Sequence, residues 1–194
     1  MFKTGHIPSH KGTVTTTDPI KTGANVAMIK AHLADDVRGL ALWTLATHSM
    51  LRSGDLVNLQ WEDLHEGENG GCEIRLHEQK TGKIRVIALP RSVCEVLFAW
   101  RAICDHSYIY SGQRGPLTTA TWGRMVKDWC NAAGFEGNFS GHTARKTGVR
   151  VRYDEHDVKL ATLMNMLNHS SEATTLVYMG RMQEEVKQAY SVSL

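Results

Sequence analysis

The chain has little cysteine, and none of it is spaced for metal or redox work. Cys72, Cys94, Cys104 and Cys130 form no CxxC or CxxH pair, so neither a zinc site nor a disulfide framework is expected and all four read as ordinary buried or half-buried thiols. The ten histidines include His65, His77, His106 and His156 at spacings no metal hydrolase uses, so no metal site is expected. Met1 to His10 carries no long apolar run, and nowhere do about 18 apolar residues follow one another, so neither a signal peptide nor a membrane span is expected. The chain reads as a soluble, cytoplasmic protein. A formal net charge of +2 does not announce a nucleic-acid partner, which must be argued from where the charges sit.

What remains is a chain of 194 residues with 42% apolar content, enough for one sizeable core with appendages. Residues 1–22 are polar, without sustained period, and read as a flexible leader arm. Apolar residues then recur at helical spacing over 24–33 and 37–50, and Ser53 is placed to cap a third helix over 54–61. Over 72–90 the period shifts to two, around a Thr81-Gly82 break, which predicts a β-hairpin with Lys80 at its turn. Helices are expected again over 93–104, 119–133 (stopped by Gly134), 142–153, 157–167 and 174–179. Met182, Val186 and Ala189 then form an amphipathic stripe with little left to cover it.

The chemistry sits in an ordered set. Arg52 and Lys80 come first, then His142 with Arg145 three residues later, His169 a further 24 on, and Tyr178 nine after that. Taken singly, each has a plain explanation as a solvated charge, a helix-end histidine or a half-buried aromatic. Taken together, they are what phosphodiester cleavage by a tyrosine needs. Arginine forks stay charged and donate paired hydrogen bonds to the oxygens that gain charge. A phenol with a pKa near ~10 needs a base or a cationic field to attack, and His142 suits that role by type. A lysine on a hairpin turn can protonate the departing sugar oxygen, and Lys80 suits it better than Lys83. Arg145, Lys146, Arg150 and Arg152 follow one another with no acid before Asp154, a local basic run suited to phosphate contact, with Lys146 and Arg150 as candidates.

With these residues in view, the chain resembles the tyrosine recombinases, the phage-integrase family. The matches are Leu51-Arg52-Ser53-Gly54-Asp55-Leu56 with Leu59, Trp61 and Asp63; Gln79-Lys80-Thr81-Gly82-Lys83; His142-Thr143-Ala144-Arg145; and Leu167-Asn168-His169-Ser170-Ser171 with Thr174, Thr175 and Tyr178. The resemblance implies a mostly α (α+β) catalytic domain, helical with a small antiparallel sheet, over residues 23–181. It also implies cleavage of double-stranded DNA with no cofactor. Tyr178 would form a 3′-phosphotyrosine link before strand exchange and religation, Arg52 and Arg145 would clamp the phosphate, and Lys80 would be the general acid. His142 would do base work, His169 would bond the phosphate and Asp55 would support the site, with Lys83, Lys146 and Arg150 as DNA contacts. A homo-oligomer, a tetramer on DNA, is implied, with DNA-bending accessory proteins as further partners and 182–194 as a tail exchanged between subunits.

Three positions depart from the family pattern: Met50 and Asn168 stand where glycine is usual, and Ala144 where leucine is common. The first two lead one to expect slightly different local turns. The leader is shorter than the amino-terminal domain with which most integrases clamp DNA, which fits either a catalytic fragment or a naturally short member. A type IB topoisomerase-like relaxing enzyme and a non-cleaving DNA-binding regulator share the pattern and remain alternatives.

Overall fold

The computed structural model describes residues 17–79, 82–179 and 191. Expectations that rest on residues 1–16, on Lys80 and on the stripe from Met182 fall outside the described residues. The domain is helical with small antiparallel sheets, as expected. Helix α1 (Gly23–His32) starts on Thr22, whose hydroxyl accepts the Asn25 N–H at 3.2 Å. Helix α2 (Val37–Ser49) starts on Asp36 in the same way and buries nine of its 13 residues, because it packs against both α4 (Arg91–Arg101) and α6 (Gly141–Glu155).

Helix α3 (Ser53–Asn58) is shorter than expected, and Arg52, not Ser53, holds its cap position. The helix cannot run on to Trp61 because Leu59 turns extended and Gln60 bridges to Tyr108. Three strands follow, β1 (Leu64–Glu66), β2 (Cys72–His77) and β3 (Ile84–Leu89), antiparallel in the order β1-β2-β3. The expected hairpin is β2–β3, with Ile74 opposite Ile87. In β2, Cys72, Ile74 and Leu76 face the core. Strand β1 and the two-residue strands β4 (Ser111–Gly112) and β5 (Gly115–Pro116) are too short to show a period in the sequence.

One cysteine expectation is corrected: Cys72 and Cys94 form a disulfide, with Cα atoms 6.2 Å apart, while Cys104 and Cys130 are free and buried. The pairing is tertiary. It joins the inward face of β2 to the first turn of α4 across 22 residues, so no local spacing advertises it.

Helix α5 (Thr119–Ala132) buries Trp122, Val126, Trp129 and Cys130 and gives way at Gly134, whose φ of 85° suits glycine. Helix α6 opens with a reciprocal cap: the Ser140 hydroxyl accepts the His142 N–H, and the Thr143 hydroxyl accepts the Ser140 N–H. Trp122 Nε1 donates to Gly141 O at 3.3 Å, fixing the same turn from the core side. Helix α7 (Leu160–Leu167) starts later than expected because Asp157 is left-handed at φ 50° and Lys159 extended. Helix α8 (Glu172–Met179) starts earlier, with Ser171 Oγ accepting the Thr174 N–H.

The core has two parts. The larger gathers α1 to α5 and the sheet around Leu42, Trp43, Leu45, Ile74, Tyr110 and Trp122. The smaller joins Met50, Val149, Leu163, Leu167 and Met179, with Tyr178 packed against it. The leader expectation is also corrected at its end: residues 17–22 are not a loose arm. Ile20 is buried, its N–H donates to Thr147 Oγ1 at 2.9 Å, and the Thr17 hydroxyl bonds the Ser140 hydroxyl. The segment therefore braces the start of α6. No described helix is long and apolar enough to cross a membrane.

Helices α2 and α6 pack tightly at Gly148, where an added Cβ would lie 2.0 Å from Thr47 O and 2.8 Å from Met50 Cγ. A backbone oxygen cannot swing aside, so Gly148→Ala forces α6 away from α2. The expected loss is about 1–3 kcal/mol or more, read as a lower urea midpoint. An unchanged midpoint contradicts this contact.

Candidate active site

Arg145 organises the site from within the protein. It lies one turn into α6 and is 2% exposed. Its Nη1 donates to Met50 O and its Nη2 to Leu167 O, the latter at 3.0 Å. Both acceptors sit where a helix gives out, and the residues that turn the chain there are left-handed: Met50 at φ 51° ends α2, and Asn168 at φ 55° ends α7. These are the two positions where glycine was expected. The expectation of altered turns is corrected, since both keep the glycine-type conformation. Asparagine tolerates that region well. Methionine does so at a cost, offset by burying its side chain in the smaller core.

Arg52 enters from the start of α3, with its side chain 22% exposed and Nη1 donating to Glu78 Oε2 at 3.2 Å. Asp55, one turn on and 4% exposed, accepts the Gln79 N–H at 2.9 Å. It thereby ties α3 to the residue just before Lys80.

His142 lies in the first turn of α6, where free helix N–H groups add positive potential. Partial enclosure, together with the charges of Arg145, Lys146 and Arg52, holds its pKa below the ordinary imidazole value. It is therefore neutral at neutral pH and able to accept a proton. His169 follows Asn168, and its Nδ1 bonds the Thr175 hydroxyl at 3.0 Å. Its ring meets the Tyr178 ring edge-on at 5.4 Å.

Tyr178 lies on α8, with the Arg145 guanidinium 5.7 Å and the Lys146 ammonium 5.2 Å from its ring centre. Its hydroxyl is buried without a hydrogen-bond partner of full geometry. Burial raises its pKa, while Arg145 and Arg52 pull the other way. The phenol is held in place by packing among cations, with the Arg145 guanidinium as the electrostatic neighbour of its oxygen.

Arg52, His142, Arg145, Asn168, His169, Ser170, Thr174 and Tyr178 line one cavity of about 340 Å³. A second, of about 340 Å³, shares Arg52 and His142 and reaches Asp55 and Gln79. Five of the six expected catalytic residues thus converge, and Lys80 falls outside the described residues. Lys146 adjoins the site, donating to Thr17 O at 2.8 Å. Lys83 is exposed and lines a neighbouring depression with Arg85 and Asn165. Arg150, expected on the DNA-facing surface, is instead 6% exposed. It pairs with Asp154 and reaches Met179 O, so it holds α6 to α8 from inside. Glu78 was not foreseen, because an acid beside a hairpin turn ordinarily reads as a solvated charge.

Comparison with known proteins agrees with this fold. A profile described as the phage integrase family matches residues 22–185. The probable integrase/recombinase YoeC of Bacillus subtilis (strain 168) is 25% identical over 178 residues, covering 90% of this chain and 95% of its own. Among solved structures, XerA recombinase superposes with a TM-score of 0.70 at 18% identity, over 96% of this chain and 68% of that one. XerH recombinase bound to palindromic difH substrate, a post-cleavage complex, gives 0.70 at 20% identity, with 92% of this chain covering 53% of XerH, about half its length. Lambda integrase (residues 75–356) bound to DNA gives 0.69 at 22% identity, over 90% and 63%.

Proposed function

Because the chain belongs to the phage integrase family, we propose that it is a site-specific DNA recombinase whose nucleophile is Tyr178. The observation that carries this reading is the single cavity in which Tyr178 meets Arg52, His142, Arg145 and His169. A scissile phosphate seated there faces two guanidiniums, whose donors strengthen their hold as charge moves onto its non-bridging oxygens. Tyr178 Oη attacks phosphorus, and the neutral His142 takes the phenolic proton. The bond from phosphorus to the 5′ oxygen breaks, Lys80 protonates that oxygen, and the enzyme is left joined to the 3′ phosphate. His169 bonds the phosphate through Nε2, with Thr175 holding the ring at Nδ1.

No water enters, so the energy of the broken ester stays in the phosphotyrosine. A 5′ hydroxyl from a partner strand attacks that link, Tyr178 leaves as a phenol, and DNA is resealed. Double-stranded DNA is the substrate, and strand exchange calls for several protomers, a tetramer on DNA as in the lambda integrase tetramer bound to a Holliday junction. Residues 23–181 carry the chemistry and 182–194 link neighbouring subunits, with accessory bending proteins assisting, in the cytoplasm of a bacterium.

The test offers the protein its paired target duplexes beside a single supercoiled circle. Recombinant junctions joining two duplexes are the expected product. Relaxed circles without any junction contradict recombination and favour a swivelling topoisomerase of the same chemistry.

A further inference from the structure

The steps above make no use of Glu78, yet it is the point where three parts of the site are tied together. Its side chain is 0% exposed. Oε2 accepts from Arg52 Nη1 at 3.2 Å and from Asn168 Nδ2 at 2.9 Å, and Oε1 accepts from Arg85 Nη1 at 2.8 Å. Arg85 in turn donates to Met166 O, on α7. One carboxylate therefore connects the start of α3, strand β3 through Arg85, and the left-handed residue that presents His169.

A buried carboxylate persists only where cations and donors satisfy it, and here two guanidiniums and an amide do so. The constraint works in both directions. Arginine has five donors on a long, flexible stem. Glu78 engages Arg52 at Nη1, which fixes the plane of the fork and leaves its other donors for a phosphate. Asn168 completes the arrangement. Glycine there would keep the turn and lose the amide; aspartate would keep the turn and set a second carboxylate against Glu78. The residue that departs from glycine thus supplies the donor that Glu78 accepts.

We propose that Glu78 is a positioning residue for the cleavage step, aiming Arg52 at the scissile phosphate and, through the side chain of Asn168, holding the turn that carries His169. This rests on the recombinase reading.

The test measures single-turnover cleavage of a nicked suicide duplex, DNA affinity and thermal melting for wild type, Glu78→Gln, Asn168→Asp and the double variant. Glu78→Gln is expected to slow cleavage by about ten- to a hundredfold, the scale of misaiming one reacting group, with affinity nearly unchanged. Asn168→Asp, which leaves Glu78 in place, is expected to slow cleavage comparably. In the double variant an amide faces a carboxylate again with the partners exchanged, and cleavage recovers above both single variants. The proposal is overturned if either single variant cleaves at the wild-type rate, if affinity and melting fall in step with cleavage, or if the double variant shows no recovery. A wild type that forms no adduct at all refutes the recombinase reading instead.

Discussion

Tyr178→Phe abolishes the covalent protein–DNA adduct and leaves the stability of the protein nearly unchanged. The adduct needs an oxygen nucleophile, and the phenol is the one set beside the Arg145 and Lys146 cations; Ser170 and Thr174 line the same cavity, so an adduct that persists in Tyr178→Phe moves the assignment to a hydroxyl of that kind. The ring itself contributes packing. It rests on the Met50, Val149, Leu163, Leu167 and Met179 cluster and lies edge-on to His169, and phenylalanine keeps all of this. The hydroxyl is buried with Arg145 as its electrostatic neighbour and no hydrogen bond of good geometry, so removing it changes stability by no more than about 1 kcal/mol. Cleavage lost with melting preserved, read on a denaturing gel and by thermal unfolding, is the signature of a nucleophile. Lost cleavage with a large drop in melting temperature would make Tyr178 a core residue instead.

Arg145→Ala behaves oppositely on the second axis. Cleavage falls by at least about a hundredfold, the scale of losing one donor to the transition-state oxygens, and stability falls with it. The guanidinium binds Met50 O and Leu167 O, and alanine leaves two buried carbonyls unpaired at about 1–3 kcal/mol each. Arg145→Lys does not repair this, because a single ammonium cannot serve two divergent carbonyls and a phosphate together. Normal cleavage by Arg145→Ala would show that the clamp is elsewhere.

These contrasting outcomes reflect what the sequence can and cannot disclose. The helices around Leu42 and Leu45, Trp122 and Trp129, and Ala144 and Val149 are legible, because apolar residues at helical spacing need no partner to be seen. The hairpin is legible from the alternation of Ile74 and Leu76 and of Ile84 and Val86. The convergence of Arg52, His142, Arg145, His169 and Tyr178 is legible through order and spacing. Interactions between distant segments are not. Arg150 looks like a surface charge until Asp154 and Met179 O close around it. Cys72 and Cys94 meet only once a sheet docks on α4. Residues 17–22 read as loose because the hydroxyls that hold them, Thr147 and Ser140, are more than a hundred positions away. Met50 and Asn168 announce departures from glycine, and only the backbone shows that they take its conformation.

The nucleophile assignment is tested most directly by trapping the protein on a nicked suicide duplex, digesting the denatured complex and sequencing the nucleotide-bearing peptide. The expected result is a 3′ phosphate esterified to Tyr178, with Tyr108, Tyr110 and Tyr153 unmodified. A link to another residue, or a strand cut that leaves no protein attached, would contradict it.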